Sequence, residues 1–304
     1  MANYRKNQSS GSGNAVKVGL FAALITALVA VYNFFTKSTP PNDPNTNPIT
    51  EEVITPREEI EDSGNYLPTS TTGAIVRHKY YTLSYSENDE QAEWVAYVLT
   101  RQRLQMDWQD RPDLFETDPL VRTGSATLSD YRGSGYDRGH LAPAADMAFN
   151  TTAITESFYL SNISPQVRDF NHGVWKELEE LSRDWAVKFN KLYVVTGPLL
   201  KDGGKGEIGA NSVTVPTAYY KILLDLSETN PKAIAFIVPN EVSYDPLFKY
   251  VVTIDEVEKQ TGINFFPKLM SRDLERDLES NPNYDLWPFS KKKFDLRVNK
   301  WNKE

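Results

Sequence analysis

Four apolar runs rich in β-branched and aromatic residues do most to limit what this 304-residue chain can fold into. They are "HKYYTLSY" (78–85), "KLYVVTGPL" (191–199), "SVTVPTAYYKILLDL" (212–226) and "AIAFIVPN" (233–240). The first alternates and reads as a half-buried strand; the later runs read as buried strands. "EQAEWVAYVLTRQRL" (90–104) mixes strand and helix signals. "TIDEVEKQTG" (253–262) reads as a short helix, with Thr253 as N-cap, Glu256 three residues on and Gly262 after its end. Strands and helices thus alternate irregularly, which favours an α+β fold over a regular parallel βαβ sheet.

Ahead of this body lie segments of a different character. Residues 18–35, "VGLFAALITALVAVYNFF", are apolar except for Thr26 and Asn33. At ~1.5 Å per residue they reach ~27 Å, close to a bilayer core. Arg5, Lys6 and Lys17 precede the run and Lys37 follows it. The positive-inside tendency then puts residues 1–14 in the cytoplasm and the rest of the chain across the membrane. Residues 15–36 are accordingly expected to be a single-pass anchor in a lipid bilayer. A cleaved signal peptide, giving a secreted product, is the alternative. Residues 37–63, rich in Pro, Asn, Thr and acid, are expected to be a linker to an extracytoplasmic body, periplasmic or external.

The chain has no cysteine, which excludes disulfides, thiolate catalysis and Cys-ligated zinc. Its net charge is −8. Arg5, Lys6, Lys17 and Lys37 make residues 1–40 basic, whereas seven acids against Arg57 make residues 41–63 strongly acidic. The body that follows is mildly acidic. Taken alone this argues against a nucleic-acid binder, so any phosphate site must be a local patch.

One such patch is "DYRGSGYDRGHLAPAADM" (130–147), which holds one of only three histidines. A histidine is the natural general base near neutral pH, and His140 follows Asp137, Arg138 and Gly139 directly. Arg138 can grip a phosphate with its planar fork. Isolated, such a histidine is an ordinary structural residue of a glycine-rich turn. "SNISPQVRDFNHGVWKELEELSRDW" (161–185) changes that reading. From about His172 it is predicted to be an amphipathic helix, with Trp175, Glu179 and Arg183 on one stripe. Read singly, Asn171 is an N-cap and Glu179–Arg183 a surface ion pair. Read together, they supply what hydrolysis of a phosphodiester needs besides a base: charge relief and a hard, hydrated cation. Oxygen donors suit Mg²⁺.

Carried by "YDRGHLAPAADM", "FYLSNISPQ", "FNHGVWKELE", "YVVTGPLL", "VPTAYYKI", "AFIVPN" and "EVEKQTGINFFPKL", in that order, the body resembles the DNA/RNA non-specific endonucleases. The resemblance spans about residues 64–270 and leaves 271–304 as a C-terminal extension. It implies a central, mainly antiparallel sheet with helices and a ββα-metal active site. It also implies His140 as general base, Arg138 and Arg183 on the phosphate, and Asp137 shaping the motif. Asn171 is implied as the direct ligand of Mg²⁺, with Mn²⁺ as the alternative ion, and Glu179 as reaching the metal through water. Asn162 would support the site, and one upstream arginine, Arg111 or Arg122, would join it. The implied reaction is hydrolysis of DNA and RNA to 5′-phosphate products with little sequence preference. A homodimer and a protein inhibitor are further partners the family allows. The rival reading is a membrane-tethered nucleic-acid-binding or DNA-uptake protein without turnover. His78 is expected to be structural and His172 a neighbour of the site. The "SKKKF" run (290–294) is expected to be a solvated basic tail.

Overall fold

Alternation along the apolar runs becomes one large sheet in the computed structural model, which describes residues 64–303 apart from residue 113. The expected anchor (15–36) and linker (37–63) lie outside the described residues. The strand order is β1 (Ile75–Arg77), β2 (Tyr81–Ser86), β3 (Gln91–Thr100), β6 (Lys191–Pro198), β9 (Ala218–Asp225), β10 (Lys232–Pro239) and β11 (Val251–Val252). Every neighbouring pair is antiparallel. A separate ribbon pairs β4 (Asp137–His140) with β5 (Ile163–Gln166), and a shorter one pairs β7 (Glu207–Ile208) with β8 (Val213–Thr214). The fold is α+β, as the irregular alternation predicts.

Three segments sharpen or correct the sequence reading, each for a local reason. The run 212–226 is two strands, because Pro216 has no N–H for a ladder and separates β8 from β9. The ambiguous stretch 90–104 is strand up to Thr100 and a helical turn after it, with Thr100 Oγ1 accepting from Arg103 N at 3.2 Å. The helix expected from about His172 begins as a π-turn, Phe170–Trp175, and becomes α-helical only at Lys176. Gly173 leaves helical angles there (φ −105°, ψ −108°). A Cβ on Gly173 would stand 2.6 Å from Asn302 Oδ1.

Both faces of the sheet are covered. In β9, Tyr219 and Leu223 pack with Phe170, Trp175, Leu178, Leu181 and Trp185 of the π-turn and the long helix Lys176–Phe189. Tyr220, Ile222 and Leu224 point the other way, toward Ile254 and Val257 of the helix Ile254–Thr261. Period two therefore assigns Lys221 to the face of the long helix. The helix at 254–261 is capped as predicted: Thr253 Oγ1 accepts from Glu256 N at 3.0 Å, and Gly262 ends it in the left-handed region (φ 77°).

Residues beyond 270 are built into this body. Trp287 is 1% exposed and meets Trp185 edge-on, with ring centroids 5.2 Å apart. The "SKKKF" run opens the helix Lys291–Asn299, and Lys293 pairs with Glu180 at 3.0 Å and Asp184 at 3.2 Å. The expected solvated tail is thus a docked helix, because acids on the long helix face its lysine. Trp287→Ala is expected to cost about 3–5 kcal/mol, as for other buried aromatics. Urea unfolding measures this, and a loss below about 1 kcal/mol would mean the extension does not belong to the core.

Candidate active site

β4 is the DRGH tetrad itself, and it places its residues by alternation. Asp137 and Gly139 pair with Gln166 and Ser164 of β5, while Arg138 is exposed. Gly139 is obligatory here: a Cβ would lie 2.0 Å from Gln166 Cδ, inside a fully buried side chain. Asn162 fastens the chain just after His140. Its Oδ1 accepts from Ala142 N at 2.9 Å, and its Nδ2 donates to the carbonyls of Ala142 and Ser157. Asn162 is itself wholly buried.

His140 sits between two phenylalanines. Its ring meets Phe158 edge-on at 4.8 Å and Phe115 at 5.6 Å. Each phenylalanine carries an arginine on its face: Arg111 lies 5.0 Å from the Phe158 centroid and Arg138 4.5 Å from that of Phe115. The residue as a whole is partly exposed, yet its Nε2 is buried and has no hydrogen-bond partner. Burial, then the charges of Arg111 and Arg138, push the imidazolium down to about 3. The imidazole is therefore neutral to well below its ordinary value of 6.5, with a nitrogen lone pair available. Of the two upstream arginines, Arg111 acts on His140; Arg122 is exposed after Val121.

The second half of the site reaches the first through Asp137. Asn171, in the π-turn, donates from Nδ2 to Asp137 Oδ2 at 3.1 Å. His172 Nε2 lies 3.1 Å from the same oxygen. Asn171 does not cap the helix, whose α-helical part starts five residues later. Its amide is fixed through the nitrogen, which leaves the carbonyl oxygen as a donor for a hard cation. His78, by contrast, is structural as expected: Nε2 meets Asp118 Oδ2 at 2.9 Å and the ring stacks on Tyr81.

One and two turns beyond Trp175, Glu179 and Arg183 enter a polar knot that the sequence reading missed. Arg183 Nη1 pairs with Asp146 Oδ1 at 2.9 Å, and Tyr97 donates to Asp146 Oδ2 at 2.7 Å. Lys221, opposite Thr196 in the β6–β9 ladder, donates to Thr196 Oγ1 at 2.5 Å. Burial raises the Glu179 carboxyl well above the usual carboxylate range, against the pull of Lys221 and Arg183. Burial likewise lowers the Lys221 ammonium, against the pull of Glu179 and Asp146. A lysine in the middle of the apolar run "YYKILLDL" and an aspartate six residues after His140 were the available signals.

The family model described as DNA/RNA non-specific endonuclease matches residues 63–272. The chain belongs to that family. The nuclease is 35% identical over 263 residues to the mitochondrial nuclease EXOG of Xenopus laevis, covering 82% of this chain and 71% of that one. It is 40% identical to nuclease C1 of Cunninghamella echinulata var. echinulata, covering 66% and 85%, and 36% identical to human mitochondrial endonuclease G, covering 63% and 69%. Among solved structures it is similar to the crystal structure of the EndoG/EndoGI complex, which concerns the mechanism of EndoG inhibition. That match has 34% identity and a TM-score of 0.58, over 64% of this chain and 86% of that one. The β4–β5 ribbon and the long helix are the two strands and helix of the nuclease's ββα arrangement. Among the described residues no helix is long and apolar enough to cross a membrane.

Because the His140 shift is downward, its proton is gained only well below the ordinary value of 6.5. Between those two values the unfolded chain binds the proton and the native nuclease does not, so acidification through that window removes stability. Imidazole NMR is expected to find His140 neutral at pH 5, with Arg111→Ala raising its midpoint. A wild-type midpoint near 6.5 would refute the buried, cation-flanked setting.

Proposed function

We propose that the nuclease hydrolyses phosphodiester bonds of both DNA and RNA to 5′-phosphate products, with Mg²⁺ as its metal and His140 as general base. The observation that carries this reading is a neutral His140 on the DRGH strand, flanked by Arg111 and Arg138 on the faces of its two phenylalanine neighbours. The same strand is tied through Asp137 to the Asn171 amide.

Asn171 would hold the cation through its carbonyl oxygen, with Glu179 reaching it through water. The donor set is oxygen only and fits Mg²⁺, or Mn²⁺ in its place. When bound, the ion would supply positive charge beside the phosphorane and the leaving 3′-oxygen. His140 takes a proton from the attacking water at a ring nitrogen. Arg138 and Arg111, anchored on aromatic faces, meet the phosphate oxygens. A bound phosphodiester offsets the two charges that depress His140, so substrate raises the basicity of the group that must accept the proton. Arg183 is held by Asp146, so it acts on the phosphate through its field and by keeping Glu179 in place. Contacts to the phosphate backbone carry no sequence code, which accounts for low base preference.

A protein inhibitor is a fitting partner, since the similar EndoG structure is of an inhibitor complex. The apolar run 18–35 supports a membrane tether, which fractionation with protease protection tests. Purified residues 64–304 incubated with plasmid and with RNA test the chemistry. EDTA is expected to abolish cleavage, His140→Ala to lower kcat by about 100-fold or more, and Asn171→Ala to abolish activity with an unchanged circular-dichroism spectrum. Full activity of His140→Ala ends the base assignment; cleavage in EDTA ends the metal's part. Binding without turnover would favour the tethered-receptor reading. A cation and a proton compete for the ionised Glu179 carboxylate. The acid limb of the rate should therefore move to lower pH as Mg²⁺ is raised, and a limb indifferent to Mg²⁺ excludes this role for Glu179.

A further inference from the structure

The segment 297–302 lies outside the family match, which ends at residue 272, yet it closes directly on the π-turn that carries Asn171. Arg297 is fully buried. Its Nε meets Glu177 Oε2 at 2.6 Å, and its two terminal nitrogens donate to the carbonyls of Ser243 at 2.7 Å and Asp245 at 2.6 Å. Asn302 donates from Nδ2 to the same Ser243 carbonyl at 2.7 Å, and its Oδ1 is buried against Gly173. Lys176, the first α-helical residue, lies over the Trp301 ring at 4.2 Å. The π-turn thus has a fixed wall at Gly173, built by Asn302.

We propose that this C-terminal segment is a brace that positions Asn171 for metal binding, with Asn302 and Arg297 as its positioning residues. The physical reason lies in the backbone. A π-turn is rare, occurs mostly as a single turn within an α-helix and is frequent at functional sites. Here it is also broken by a kink at Gly173, whose missing Cβ is the space that Asn302 fills. Glu177 is buried in the first turn of the helix and is satisfied by Arg297. Freed of Asn302, residues 171–173 can relax toward a regular helix, which rotates the Asn171 amide away from Asp137. Neither brace residue touches substrate; both act through the turn.

The proposal rests on the reading of Asn171 as the metal ligand, and Mn²⁺ titration of the full chain, followed by electron paramagnetic resonance, separates the two. Asn302→Ala and Arg297→Lys are expected to weaken Mn²⁺ binding about tenfold, at the low end for residues that orient a ligand. Cleavage should return to near the wild-type kcat at saturating Mg²⁺, with the KM for plasmid unchanged. Lys291→Ala, which breaks only an exposed pair in the same helix, should leave Mn²⁺ binding unaltered. If Asn171→Ala loses Mn²⁺ while both brace variants bind it like the wild type, the brace is wrong and the ligand assignment stands. Variants with a lower unfolding midpoint but unchanged Mn²⁺ affinity overturn it equally, because a purely structural role predicts that pattern. If Asn171→Ala binds Mn²⁺ normally, the ligand assignment falls and takes the brace with it.

Discussion

The buried pair of Asp146 and Arg183 holds the two halves of the site in one frame. Asp146 belongs to the segment that follows the DRGH strand, Arg183 to the long helix, and Tyr97, which also bonds Asp146, to the centre of the sheet. Two charges with this little exposure are costly to bury, and their mutual attraction is not a net gain over apolar packing. What the pair supplies is geometry. With Asp146 1% exposed and Arg183 19% exposed, losing either partner would strand the other charge, at about 3–5 kcal/mol. The helix cannot slide or rotate against the strand without breaking it. Glu179, one turn earlier on that helix, inherits its position from this constraint.

The same logic explains why Glu179 and Lys221 share one interior. Each disturbs the other's proton affinity in the direction opposite to burial. A carboxyl and an ammonium placed together without bulk water exchange charge stability, so neither is free to act alone. Lys221 is held by Thr196 across the ladder and by the Trp175 ring, 5.1 Å away. The sheet, and not only the helix, therefore reaches into the site's electrostatics.

Much of this was legible in the sequence, for identifiable reasons. Strand runs such as "AIAFIVPN" survive as strands because their patterning is local, and the cap at Thr253 is a three-residue signal. The stripe of Trp175, Glu179 and Arg183 follows from helical spacing alone. What stayed hidden depends on distant partners. Asp146 pairs with residues 37 and 49 positions away, and parity assigns Lys221 to a face without saying what waits there. Arg111 and Arg122 are equivalent as letters in an aperiodic loop; only the placement of Phe158 separates them. The π-turn has no composition of its own, since what sets it apart is the kink at Gly173 and a wall, Asn302, far downstream in the chain.

That last point bears on how such a site is kept rigid. The DRGH strand is stiffened by pairing with β5 and by the tight Gly139–Gln166 approach, so His140 and Arg138 rest on regular structure. Asn171 has no such support, because it stands in an irregular turn and is fastened to the strand by one hydrogen bond to Asp137. Asp137 also faces His172, so its carboxylate is shared. A single shared hydrogen bond, worth about 1 kcal/mol or a little more with a charged acceptor, cannot by itself hold an amide against thermal rotation. The turn's second wall, formed by Asn302 against Gly173 and Arg297 against Glu177, supplies the constraint that the first one lacks.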